Sequence, residues 1–169
     1  MTVEVDPQDV VAIIERELST ITDERVLAQI RSLLVTPVCE RRLWDYGSDG
    51  QRLDCWIVLR DPETQTSLAY CNEGFGPRCP WGMLWDIDLS QPGSSMGMDS
   101  SWHSSFLDVY FDSRVPLRLP IWRVFEHDPG HWPGLPVTAE ATWDEAWKCV
   151  DNLRSREPRK RYDVWHSIR

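Results

Sequence analysis

The chain has 169 residues, 41% of them hydrophobic and 27% charged, with 9 glycines and 12 prolines; this fits one ordinary globular domain over 1–169 and excludes collagen-like, fibrous and disordered classes. The net charge of -9 is unevenly placed: residues 61–113 hold eight acids (Asp61, Glu63, Glu73, Asp86, Asp88, Asp99, Asp108, Asp112) against Arg78, whereas residues 154–169 hold six bases against Glu157 and Asp163. Phosphate neutralisation needs clustered Lys and Arg, so the acidic centre disfavours nucleic acid and favours a basic protein partner.

In chain order, Asp6 and Pro7 predict a capped helix start, followed by a stripe of Val10, Val11, Ile14 and Leu18. A second helix, capped by Thr20 or Thr22, carries Val26, Leu27, Ile30, Leu33 and Leu34 on one face. From Pro37 the period becomes two. Gly47-Ser48-Asp49-Gly50 predicts a hairpin between residues 38–46 and 52–60, with Leu53, Cys55, Ile57 and Leu59 on one face. A turn at Asp61-Pro62-Glu63-Thr64 leads to a third strand over 67–72. A fourth alternates Trp81, Met83, Trp85, Ile87 and Leu89 with Gly82, Leu84, Asp86 and Asp88, as a half-buried strand does.

Ser105 and Asp108 have the spacing of a capping box, opening a short apolar third helix. Prolines at 116, 120, 129, 133 and 136 leave one strand, Ile121 to Glu126, and a long loop after it. Thr142 and Glu145 open a fourth helix carrying Ala146, Trp147, Val150 and Leu153. The expected fold is α+β, an antiparallel meander of about five strands packed with four helices. Five cysteines, an odd number without a CxxC pair, indicate a reducing compartment. With no signal-peptide pattern and no long apolar run, a cytoplasmic protein without membrane attachment is expected.

The segment Glu73-Gly74-Phe75-Gly76-Pro77-Arg78-Cys79-Pro80-Trp81-Gly82 has the most unusual local composition. It lacks the third glycine of a dinucleotide fingerprint, and Pro77 removes an amide that a phosphate cradle uses. It reads either as a tight connection between strands or as a rigid recognition loop presenting Phe75, Arg78 and Trp81. Ten tryptophans, with Trp102, Trp132 and Trp143 on loops or helix starts, suggest an interface, although burial is the commoner fate of any one of them.

Catalytic patterns are weak. His127 and His131 are four apart, but Pro129 and Gly130 forbid the helical turn that would align them on a metal; a loop can still bring them together, although spacing suggests no third ligand. His103 lies near Asp99 without a nucleophile motif, and Cys79 has no assigned histidine. Asp86 and Asp88 share a strand face and fit either paired acid and base roles or a solvated surface. No cofactor or metal is expected.

Gly74-Phe75-Gly76-Pro77, Pro80-Trp81-Gly82 and Met96-Gly97-Met98-Asp99-Ser100-Ser101-Trp102 make the chain resemble a group of small uncharacterised bacterial proteins, some of them similar to immunity proteins of toxin systems. The likeness covers residues 33 to 113, and the segment from 114 onward departs from it. It implies an intracellular inhibitor whose surface occludes the active site of a toxin.

Charge segregation, tryptophan surplus and the lack of a catalytic motif point the same way. The expectation is a non-enzymatic, immunity-like binding protein that neutralises a basic partner through Glu73, Phe75, Arg78, Trp81, Asp86, Asp88, Asp99, Trp102 and His103. The alternative is a small-molecule- or metal-binding enzyme with a pocket near the 127–137 loop, using His127, His131, Asp86 or Asp88.

Overall fold

Helix formation starts where the sequence supplies an acid and a proline. The Asp6 carboxylate accepts a hydrogen bond from Gln8 N–H (2.8 Å), Pro7 fills the first turn, and α1 (Pro7–Leu18) buries Val10, Ile14 and Leu18. The structure, a computed structural model, describes residues 6–85, 95–98, 101–131 and 133–168. The second helix, α2 (Glu24–Leu33), is capped by Asp23, whose carboxylate accepts from the N–H groups of Arg25 and Val26. Thr20 has another role: its hydroxyl donates to the Glu17 carbonyl (2.7 Å) at the end of α1. A charged acceptor suits the positive end of a helix better than a hydroxyl does.

Leu34 leaves the helical stripe and opens β1 (Leu34–Trp44), three residues before Pro37. The hairpin to β2 (Arg52–Asp61) turns at Gly47–Gly50 as expected, and β3 (Thr66–Tyr70) and β4 (Trp81–Trp85) continue the antiparallel meander. Two short strands complete the sheet: β5 (Ser95–Met96), parallel to β1, and β6 (Trp102–His103), antiparallel to β4. The six-stranded sheet, in the order β5-β1-β2-β3-β4-β6, is therefore mixed. With four helices and a separate two-stranded sheet, the architecture is α+β.

The chain divides into two compact units, Met1–Val115 and Pro116–Arg169, where composition suggests one domain. In the first, both sheet faces are covered. α3 (Phe106–Asp112), capped by Ser105 through Asp108 N–H (3.0 Å), packs on β4 with Phe106 edge-on to Trp81. The opposite face carries Leu53, Cys55, Ile57, Ala69, Cys71, Leu84 and Met96 beneath Trp44 and Trp102. Leu59 is not among them, because a bulge between Ile57 and Leu59 re-registers β2 so that Leu59 pairs with Leu68. Gly82 and Leu84 are buried along with Trp81 and Met83, so β4 lacks the wet face its alternation predicts.

In the second unit β7 (Trp122–Glu126) pairs antiparallel with β8 (Tyr162–His166), and α4 (Trp143–Arg156) sets Trp143 edge-on to Trp122 at 4.8 Å. The capping box of Thr142 and Glu145 forms as expected. The basic tail, for which no strand is expected, supplies β8, and Lys160 pairs there with Glu126 (3.3 Å) and Glu157 (2.9 Å). No helix among the described residues is long and apolar enough to cross a membrane.

Candidate functional site

Trp44 ends β1 on the sheet face away from α3, and from there three segments distant in sequence meet. Its ring centroid lies 5.6 Å from Tyr46, 5.0 Å from Phe75 and 6.0 Å from Trp102, while Phe75 also contacts Tyr46 at 5.4 Å and Trp102 at 5.6 Å. The tilted and edge-to-face geometries are those that the ring quadrupoles favour, adding to the apolar area the rings bury.

Glycines make the close approaches possible. Gly82, opposite Trp102 in the β4–β6 pair, leaves open the space that ring occupies: a Cβ there would stand 2.9 Å from Trp102 Cη2. Gly97 has φ +130°, and a Cβ on it would stand 3.1 Å from the Trp44 ring. Asp45 ties the 95–98 segment to the hairpin: its N–H donates to the Met96 carbonyl (3.1 Å), and its carboxylate accepts from Met98 N–H (2.9 Å). Both glycine-bearing motifs of the sequence thus serve one aromatic cluster.

The cluster is only partly covered. Trp44 and Trp102 pack against the core, whereas Tyr46 is 58% exposed, Phe75 43% and Met98 66%. Trp102 Nε1 is buried without a hydrogen-bond partner among the described residues.

Of the residues singled out from the sequence, Phe75 and Trp102 lie in this cluster, while Glu73 and Arg78 are exposed on the same loop, Arg78 ending a short 3-10 turn (Gly76–Arg78). Trp81 is a correction. It opens β4, pairs with Tyr70 and His103 and is 1% exposed, so it belongs to the core and is not presented to a partner. His103 Nε2 lies 3.0 Å from Asp112 on α3. Asp86, Asp88, Asp99 and Trp132 lie outside the described residues. Trp44 and Tyr46 belong to the cluster but read from the sequence as ordinary residues at the end of a strand, and Met98 is the last residue of the Met96-Gly97-Met98 motif.

In the second unit His127 Nδ1 lies 3.6 Å from Asp163, and His131, exposed, bridges back to Asp128. The two histidines are not brought onto a shared metal position: no group of three His, Cys, Asp or Glu among the described residues is arranged to hold one. Comparison of the chain with family models, curated proteins and solved structures finds no match.

Proposed function

We propose that the chain is a non-enzymatic binding protein of the inhibitor kind, which docks a basic protein partner on the surface formed by Tyr46, Phe75 and Met98 over Trp44 and Trp102. The observation that carries this reading is the convergence of the 44–46, 73–75 and 96–102 segments on one aromatic cluster whose outer members stay exposed. Rigid aromatic anchors supply much of the energy of protein interfaces. Here ring contacts and glycine sockets hold them in position before binding, which lowers the ordering cost.

Charge supports a basic partner. The unit bearing the cluster has 19 acidic residues against 9 basic ones, a net of -10, whereas residues 116–169 have 8 against 9, a net of +1. Asp49 and Glu73 sit exposed in the loops that carry Tyr46 and Phe75. Such a field steers a basic partner and makes association sensitive to salt. A toxin whose active site this surface covers is the partner that the immunity resemblance implies.

The test compares the unaltered chain with the Tyr46→Ser/Phe75→Ser double variant as baits in native extract at low and high salt, followed by binding of the purified pair. The expected result is a basic protein bound one to one by the unaltered chain, released by high salt and lost by the variant, which unfolds cooperatively at a lower midpoint but is folded at the temperature of the assay. A retained set that is the same for both baits, or that contains no salt-released basic protein, overturns the reading.

A further inference from the structure

The second unit holds a cavity of about 440 Å³ whose walls include Arg123, Phe125, Pro133, Pro136, Trp165 and His166. Its origin lies in the strand register. Arg123 pairs with Trp165 across β7 and β8, and Phe125 lies two residues further on, so these three side chains share one face of the two-stranded sheet. Trp122, on the alternate face, meets Trp143 of α4. The prolines come from the loop, which runs back along β7: Glu126 N–H donates to the Leu135 carbonyl (3.2 Å) and Val137 N–H to the Val124 carbonyl (2.8 Å). Gly134, at φ +82°, passes so close to the Glu126 carbonyl that no larger residue fits, which fixes this wall before any ligand arrives.

The chemistry of the wall is specific. Arg123 Nε is buried and has no hydrogen-bond partner among the described residues. Leaving a guanidinium N–H desolvated and unsatisfied is costly, and a carboxylate accepting from the guanidinium fork removes that cost. The acid that shares this face, Asp163, is directed to His127 and forms no ion pair with Arg123. Arg123 is the only Arg or Lys among the described lining residues, which matches a single negative charge. Phe125, Trp165 and the prolines are flat apolar surfaces, and Trp165, 37% exposed and stacked on His166 at 27°, offers a ring face at the rim.

We propose that this cavity binds a small planar monocarboxylate, with Arg123 holding the carboxylate and Phe125, Trp165 and the Pro133–Pro136 wall enclosing the flat apolar body. The volume lies in the range of small-molecule sites, and the site shares no residue with the aromatic docking surface.

The full chain is titrated by calorimetry and ligand-observed NMR with benzoate and indole-3-carboxylate, and with the neutral benzamide and indole-3-carboxamide. Saturable one-to-one binding of a carboxylate is expected, about tenfold or more tighter than its amide and weakened about as much by Arg123→Met. Trp165→Ala weakens it as well. No saturable binding of either carboxylate at millimolar concentration, equal binding of the amide, or binding that Arg123→Met leaves unchanged overturns the proposal. The amide comparison uses the unaltered chain and so holds whether or not a variant folds.

Discussion

The indole of Trp44 occupies the space that a side chain on Gly74 would fill: a Cβ at Gly74 would stand 3.0 Å from Trp44 Cη2. Gly74 also has φ +66°, in the left-handed region, so two separate requirements select glycine there. Gly76 meets only one of them, with φ +72° and open space where its Cβ would be. Gly76→Ala is therefore expected to cost about 1–2 kcal/mol of stability, the backbone strain alone. Gly74→Ala is expected to cost about 1 kcal/mol more, from the displaced ring. Urea unfolding of the two variants checks this; equal losses would mean that the Trp44 contact contributes nothing.

The short helix α3 depends on a distant residue. The Glu17 carboxylate, near the end of α1, accepts hydrogen bonds from the N–H groups of Phe106 (3.2 Å) and Leu107 (2.9 Å), satisfying donors at the start of α3 and facing its positive end. Glu17→Ala is expected to lower stability by about 1–2 kcal/mol. Glu15→Ala is the control. Its exposed pair with Arg31 (3.1 Å) is expected to contribute less than about 1 kcal/mol. Thermal and denaturant unfolding of both variants measure the difference.

Features set by neighbours in sequence were legible from the sequence: the Asp6–Pro7 start, the turn at Gly47–Gly50 and the capping box at Thr142 and Glu145 all stand in the structure. Those that depend on distant partners were not. β8 pairs with β7 some forty residues earlier, and nothing in the basic run before Tyr162 announces a strand. Of the aromatic cluster, Phe75 and Trp102 were readable from their odd loops. Trp44 and Tyr46 read as ordinary strand residues, because what makes them part of a surface is the return of the 73–75 and 96–98 segments across the sheet. Trp81 reads both as the first residue of the fourth strand and as a residue presented by the 73–82 loop; its pairing with Tyr70 and its burial uphold the first reading and overturn the second.

Glu40 links two arginines on the β1–β2 pair, at 2.8 Å from Arg42 and 2.5 Å from Arg60. Burial raises its carboxyl pKa, but the hydrogen bonds and charges of Arg42 and Arg60 outweigh this and hold it below the usual 4.5. A depressed folded-state pKa means stability that is fully present above the unfolded value and lost as pH falls through the folded one. Glu40 is therefore expected to contribute evenly from pH 7 down to about 5, and to withdraw its contribution below about 4.5. Glu40→Gln should lower stability at pH 7 by about 1–3 kcal/mol and flatten the acid limb of the stability curve. Unfolding free energies measured from pH 3 to 7 for both proteins check the sign; parallel curves would refute it.

The five thiols are all free, and their surroundings rank their reactivity. Burial pushes the Cys55 thiol up to about 12 and the Cys71 thiol up to about 11, and both side chains lie within the sheet core beneath Trp44 and Trp102. The thiolate is the nucleophile, so at pH 8 each offers a vanishing fraction of it as well as no access. Cys39 is exposed on β1, although burial of its sulfur and the nearby Asp54 raise its pKa too. Labelling with a chromogenic disulfide at pH 8 is expected to modify Cys39 well before Cys55 and Cys71, which should react only at the rate of opening of the sheet. Gly74→Ala should speed Cys55 and Cys71 in proportion to its loss of stability and leave Cys39 unchanged, since it loosens the rings that cover those two sulfurs. Peptide mapping of labelled protein over time separates the sites; early modification of Cys55 or Cys71 in the unaltered chain would mean that the Trp44 and Trp102 cover opens independently of unfolding.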